Sequence, residues 1–319
     1  MMGFELSEGE LKDNAEANLF SCISQSLFRG AHANTYKYGF LKAVLDNIFS
    51  VDADYRLSMD DINATFAKVY WNLVNIYHVP QSPISLRAPA SSMEQLVSTY
   101  SADHTLDLVP FDSLAKEHQI AFLKKSKPIL KKYVFGAFYG DTGGFLFGFS
   151  KSDNVIWLNE KSFRFFSENK ILLDQINYYE WLKMCESILA KAQERVDNLS
   201  TVLENITERV NLDYFKDELN KLGKNETCFY CGKHLSEGAP LDHVIPWDFL
   251  KQDQLWDLVF ACPSCNSSKN DKIPSQEYLN KLIERNQRLG IESPDILSLV
   301  KTAELNGVAA GWKPKKDKE

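Results

Sequence analysis

The segment from Cys228 to Lys272 is the most informative part of this sequence about its fold, and it reads CFYCGKHLSEGAPLDHVIPWDFLKQDQLWDLVFACPSCNSSKNDK. A Cys-x-x-Cys pair stands near each end of it: Cys228 with Cys231, and Cys262 with Cys265. Four thiolates on two tight turns are the donor set of a tetrahedral structural Zn²⁺. We therefore expect a four-cysteine zinc site that fixes both ends of this segment.

Polar residues stand between and just after the cysteine pairs, where a purely structural zinc knuckle has no need of them. They are Asp242 and His243 in one apolar run, Asp257 in a second run, and Asn266 directly after the last cysteine. This order resembles the HNH endonuclease family, whose fold is a β-hairpin followed by a helix, with a divalent ion between them. The resemblance covers residues 224 to 275 and departs at Asp257, where the family usually has Asn.

The resemblance implies a role for each of these positions. His243 would be the general base that activates a water molecule, and Asp242 and Asn266 would hold a catalytic Mg²⁺ or Mn²⁺ through hard oxygen ligands. Asp257 would brace the hairpin by accepting backbone N–H groups. Lys269, one helical turn after Asn266, is expected to reach the phosphate. The zinc would stay outside the chemistry, because four thiolates leave no coordination position open.

Length and composition indicate an ordinary globular protein with room for two domains. The chain has 319 residues, of which 44% are hydrophobic, and it contains no apolar run of the 18 or more residues that span a bilayer. Its acidic N-terminus has no signal-peptide pattern, and four of its six cysteines have metal-binding spacing. We therefore expect a cytoplasmic protein without a membrane partner. The net charge of −7 means that any face that binds nucleic acid must be local.

We predict an α+β protein composed of two domains and a tail. Residues 1–222 are expected to form a mainly helical domain for target recognition or regulation, with short strands near 133–158. Residues 223–306 would form the ββα-metal HNH nuclease domain with its four-cysteine zinc site. Residues 307–319 carry four lysines and would form a basic flexible tail.

The strands of the first domain are predicted from aromatic runs around a glycine-rich turn. Residues 133–139 and 145–149 would be two strands joined by Gly140-Asp141-Thr142-Gly143-Gly144, and residues 155–158 a third short strand. The glycines do not follow a dinucleotide-binding or phosphate-loop pattern. The turn is therefore interpreted as structural.

The function predicted from these patterns is metal-dependent hydrolysis of phosphodiester bonds in DNA, in restriction or antiviral defence. RNA stays open as a substrate. One site with one base cuts one strand at a time, so a double-strand break would need a homodimer or two visits, and a defence system can add a partner protein. The alternative is a zinc ribbon that binds nucleic acid or protein without cutting; such a module has no need for Asp242, His243 and Asn266 together.

Overall fold

The computed structural model divides the chain into two compact units, Met1–Glu208 and Arg209–Glu319. The residues that it describes are 6–29, 33–83, 90–204, 206, 211–223, 226–236 and 238–315. The first unit ends upstream of the predicted boundary at residue 222. The physical reason is that Leu219 packs against Leu241 and Leu258, so its helix belongs to the second unit.

The first unit is mainly helical among its described residues. Its α-helices are α1 (Leu19–Ser24), α2 (Tyr36–Asp46), α3 (Met59–Trp71), α4 (Ser92–His104), α5 (Lys116–Tyr133), α6 (Phe135–Asp141), α7 (Glu160–Glu168), α8 (Lys170–Ala192) and α9 (Leu199–Glu204). Local sequence sets several of their starts. Ser91, for example, begins α4 with a capping box in which the Glu94 side chain accepts from the Ser91 backbone N–H.

A small antiparallel sheet completes the first unit. Its strands are β1 (Glu8–Gly9), β2 (Arg56–Ser58), β3 (Gly148–Ser150) and β4 (Val155–Trp157), in the order β1-β3-β4-β2. Gly148 lies opposite Trp157 in this sheet, and a Cβ at position 148 would overlap the indole ring. Glycine is therefore required there by close packing rather than by backbone freedom.

The prediction of a strand at residues 133–139 is wrong, because Tyr133 ends the helix α5 and residues 135–139 lie in the helix α6. Phe135 and Phe138 are three residues apart and both contact Phe40, with ring centroids 5.2 and 5.1 Å away. That spacing puts both rings on one face of a helix, whereas a strand would point them to opposite faces. The strands predicted at residues 145–149 and 155–158 are present in part, as β3 and β4.

The second unit contains two strands and five α-helices among its described residues. They are α10 (Asp213–Leu222), β5 (Leu241–His243), α11 (Trp247–Leu250), β6 (Leu258–Phe260), α12 (Pro263–Lys269), α13 (Gln276–Leu289) and α14 (Ile296–Leu305). Strands β5 and β6 are antiparallel, with His243 paired to Leu258, and α12 follows directly. The predicted hairpin followed by a helix is therefore present, with a short helix inserted between the strands.

The prediction of a flexible tail from residue 307 is wrong for its first part. The backbone N–H of Trp312 donates to the Ile273 carbonyl, and that of Ser275 donates to the Trp312 carbonyl. The indole of Trp312 meets the Tyr230 ring edge-on at 5.1 Å. One aromatic side chain thus anchors a segment whose lysines suggested a solvated tail. Residues 316–319 lie outside the described part.

Candidate metal centre and active site

The four cysteines of the two Cys-x-x-Cys pairs meet in space. Their sulfur atoms all lie within 4.8 Å of one another, and the sulfurs of Cys231 and Cys262 are 3.8 Å apart. Four sulfurs around one zinc, each with a Zn–S bond of about 2.3 Å, would be separated by about 3.8 Å. Among the described residues, these four cysteines are the group of potential metal ligands whose donor atoms lie this close to one another.

Backbone groups favour the thiolate at Cys228, whereas burial raises the pKa of the Cys231 and Cys265 thiols. Burial acts to raise the pKa of the Cys228 thiol, but hydrogen bonds from neighbouring backbone groups outweigh it and lower the pKa below its usual value. Cys262 caps α12, since its sulfur accepts from the Cys265 backbone N–H at 3.4 Å. The donor set and its surroundings fit a structural Zn²⁺.

His243 ends β5 with its imidazole almost completely enclosed, at 1% exposed. Nε2 lies 2.8 Å from Oδ1 of Asp253, in the loop between α11 and β6. Nδ1 is buried and has no hydrogen-bond partner among the described residues. The imidazole is thus fixed at one nitrogen and unengaged at the other.

Asp242 belongs to a buried polar cluster beside His243. The Tyr230 hydroxyl donates to its Oδ2 at 2.5 Å, and the Lys269 ammonium lies 3.2 Å from the same oxygen and 3.4 Å from Oδ1. Burial raises the pKa of Asp242 above its ordinary value, although Lys269 opposes this shift. A carboxylate offers about four lone-pair positions. Three contacts leave room for a further ligand.

Lys269 is placed differently from the sequence-based expectation. Its side chain is 0% exposed, and its Nζ donates to the His243 carbonyl at 2.6 Å in addition to its contacts with Asp242. An ammonium engaged in this way ties the helix α12 to the strand β5. Its burial leaves no surface for a phosphate contact, because the charge is already satisfied inside the domain.

Asp257 fixes the backbone immediately after His243. Its carbonyl accepts from the Val244 N–H at 3.0 Å, and its Oδ1 accepts from the Ile245 N–H at 2.8 Å. These are contacts of the kind that the bracing interpretation predicts. The side chain is fully buried, Oδ2 has no partner among the described residues, and burial raises the pKa of the carboxyl to about 7.

Asn266 lies in α12, one turn before Lys269, and its side chain is partly exposed. Its backbone N–H donates to the Cys262 carbonyl at 3.0 Å, so the cysteine cap sets its position. No contact among the described residues joins its side chain to Asp242. The structure therefore brings Asp242, His243 and Lys269 into one cluster and sets Asn266 on the neighbouring helix.

The comparison with protein families decides how this arrangement is classified. Residues 228–272 match the family model of the HNH endonuclease. This segment is an HNH endonuclease domain. No curated protein and no solved structure matches the chain. The family match covers the cysteine cluster, both strands of the hairpin and α12, and nucleic acid is the class of partner that an HNH domain implies.

A basic cavity of about 450 Å³ lies beside the HNH hairpin, between β6 and one face of α13. Three cations and one carboxylate of that helix line it: Lys281, Arg285, Arg288 and Glu284. Arg285 donates to the Leu258 carbonyl at 2.7 Å, and burial lowers its pKa to about 10. In a chain of net charge −7 this is a local concentration of positive charge.

Sequence reasoning missed two residues of this site, Asp253 and Tyr230. Asp253 stands in the polar run Lys251-Gln252-Asp253-Gln254, which matches no motif, and Tyr230 lies inside the first Cys-x-x-Cys pair. No local signal marks either residue, since their roles depend on loop paths that bring them to His243 and Asp242.

Among the described residues, no helix is long and apolar enough to cross a membrane.

Proposed function

We propose that this chain is a metal-dependent endonuclease that hydrolyses phosphodiester bonds in DNA. The observation that carries the proposal is the imidazole of His243 in the HNH hairpin, held at Nε2 and without a partner at Nδ1 among the described residues. A neutral imidazole with one free nitrogen is the side chain that accepts a proton near neutral pH. His243 is therefore assigned as the general base that deprotonates the attacking water.

Asp242 and Asn266 are proposed to hold the catalytic Mg²⁺ or Mn²⁺. The fit rests on the chemistry of the donors: a carboxylate with a remaining lone-pair position and a partly exposed amide oxygen suit a hard cation. When bound, the ion would supply positive charge against the charge that grows on the phosphate. Lys269 and Asp257 are assigned bracing roles, because both are buried and hydrogen-bonded to backbone groups around His243.

The cavity lined by Lys281, Arg285 and Arg288 is proposed as the place where the DNA backbone passes the HNH hairpin. Its positive charge is what a phosphodiester backbone needs, since contacts to phosphates supply most of the binding that does not depend on sequence. RNA has the same backbone charge and stays open as a substrate. Double-strand cleavage would require two chains or two encounters.

The setting proposed for this activity is restriction or antiviral defence in the cytoplasm. The first unit would choose the target, alone or with a partner protein of the same defence system. The two cysteines outside the metal cluster, Cys22 and Cys185, are free thiols, which suits a compartment that keeps thiols reduced. Mapping the cuts on methylated and unmethylated phage and plasmid DNA would reveal the target rule.

The test of the nuclease is cleavage of supercoiled plasmid with Mg²⁺ or Mn²⁺, stopped by EDTA. His243→Ala should lower the rate by about 10² to 10⁴-fold, the usual contribution of a positioned base, while zinc content and DNA binding hold. His234→Ala is the matched control, because His234 is exposed in the same domain. DNA binding without any metal-dependent cleavage by the wild-type protein would favour the non-cutting zinc ribbon instead.

A further inference from the structure

We propose that Asp253 is a positioning residue for His243, which holds the imidazole in the tautomer that carries its proton on Nε2 and so leaves the lone pair on Nδ1. This inference rests on the proposed role of His243 as the base. Nothing in the HNH match assigns Asp253 a role. Its carboxylate is 14% exposed, in a loop that begins after the left-handed residue Lys251.

The tautomer follows from the hydrogen bond between the two side chains. An ionised carboxylate can only accept, so at 2.8 Å from Asp253 Oδ1 the His243 Nε2 must be the donor. A neutral imidazole has one N–H group, and its second nitrogen then carries the lone pair. Nδ1 is the atom with that lone pair.

The hydrogen bond also fixes the orientation of the ring. Position 243 in β5 sets the direction of the Cα–Cβ bond, but rotation of an imidazole about χ2 has two broad minima related by a half-turn. The half-turn exchanges Nδ1 with a carbon atom and moves Nε2 away from Asp253. Asp253 therefore selects the one orientation in which Nδ1 keeps its observed place.

The two nitrogens of the His243 ring have different surroundings. A buried nitrogen without a hydrogen bond costs about 1–3 kcal/mol, so the bond that Nε2 makes is the one that holds the ring in place. Among the described residues Nδ1 has no partner, while Nε2 has a charged one. The pair thus has the arrangement of a base and its orienting group, with the lone pair on the nitrogen that the protein does not bond among the described residues.

The first experiment reads the tautomer without any activity assay. Long-range ¹H–¹⁵N correlation of the histidine side chains in the full-length, zinc-loaded protein at pH 8 should show His243 with its proton on Nε2. In Asp253→Ala the signals should move towards a mixture of the two tautomers, and Asp253→Glu should restore the wild-type pattern. Asp248→Asn is the control, because Asp248 is 76% exposed in the preceding helix and pairs with Lys251.

The second experiment reads the consequence for cleavage of plasmid DNA. Asp253→Ala should lower kcat by about 10 to 100-fold, the usual effect of losing an orienting partner, with little change in KM, and Asp253→Glu should recover part of it. Zinc content and melting temperature check that Asp253→Ala is folded.

The outcomes separate this inference from the proposed function. A wild-type spectrum with the proton on Nδ1, or an Asp253→Ala protein with wild-type tautomer and kcat, would overturn the role of Asp253 while the nuclease assignment stands. A wild-type protein that cleaves neither DNA nor RNA would overturn the proposed function and the positioning role with it.

Discussion

In the first unit the buried ammonium of Lys42 lies 2.8 Å from Asp46 and 3.3 Å from Asp174, whereas in the second unit the buried carboxyl of Asp257 has one oxygen without a partner among the described residues. Burial alone would lower the pKa of Lys42, but its two carboxylates outweigh burial and raise it. For Asp257 burial prevails and raises the pKa to about 7. The ammonium of Lys42 is balanced by its neighbours, whereas burial favours the neutral form of the Asp257 carboxyl.

The same contrast extends to the cysteines and to His243. The sulfur atoms of the second unit converge on a point where only a cation from solution can balance four thiolates, and Nδ1 of His243 has no protein partner among the described residues. Paired buried charges stabilise a framework, whereas unpaired ones in a cluster mark a candidate functional site. These groups of the second unit are the ones on which the proposed metal and substrate sites rest.

The largest effect should come from removing the zinc. Cys228→Ser or Cys262→Ser should abolish zinc binding and unfold the second unit, because a structural zinc contributes about 10–16 kcal/mol to a folded domain. The first unit, whose charges are balanced by its own side chains, should keep its helical circular dichroism and its cooperative transition. Cys22→Ser, outside the metal cluster, is the control. A zinc-free protein in which both units are folded would contradict the prediction that only the second unit depends on zinc.

The second-largest effect is expected from breaking the buried ion pair of Lys42 in the first unit. Lys42→Met should remove the ammonium 2.8 Å from Asp46, while Lys170 stays 3.8 Å away, and should lower the free energy of unfolding by about 3 kcal/mol, the lower end for a broken buried pair. Urea unfolding of the first-unit transition measures it. Lys183→Met removes an exposed lysine that pairs with Glu180 and should change nothing measurable. An unchanged transition in Lys42→Met would mean that its ion pairs contribute nothing net.

The smallest effect should come from replacing Asp257 by Asn. The amide oxygen still accepts from Ile245, so cleavage should stay within about tenfold, or about 1.4 kcal/mol, and the Mg²⁺ titration should be unchanged. Asp257→Ala should do worse, since it leaves that N–H unpaired at a cost of about 1–3 kcal/mol. A sharply raised Mg²⁺ requirement in Asp257→Asn would instead identify Asp257 as a metal ligand.

The same substitution has a predicted pH signature. The folded carboxyl titrates near 7 and the unfolded one near its ordinary value of 3.8, so between these values the unfolded state loses its proton first. Stability contributed at this position is therefore lost as pH rises through that window. Asp257→Asn has no such titration, and its stability relative to wild type should be greater at pH 8 than at pH 5.5. Urea unfolding of both proteins at the two pH values measures the difference.

The features that depend on near neighbours along the chain could be predicted from the sequence. The spacing of Cys228, Cys231, Cys262 and Cys265 predicted a four-cysteine cluster, because each Cys-x-x-Cys turn brings two sulfurs together locally and a structural zinc takes four sulfur ligands. The hairpin with Asp242 and His243 in its first strand was predicted from motif order, and the family match supports it. Helical periodicity predicted the mainly helical character of the first unit for the same local reason.

The features that depend on contacts between distant segments could not be predicted from the sequence. Residues 135–139 are helical and place Phe135 and Phe138 on one face against Phe40, and the tail is anchored because Trp312 packs on Tyr230. Lys269 is buried because its ammonium reaches the His243 carbonyl, 26 residues away in sequence. Asp253 meets His243 because the chain folds back after α11. Such contacts leave no periodicity or spacing in the sequence, since burial and loop path are fixed only when the segments pack together.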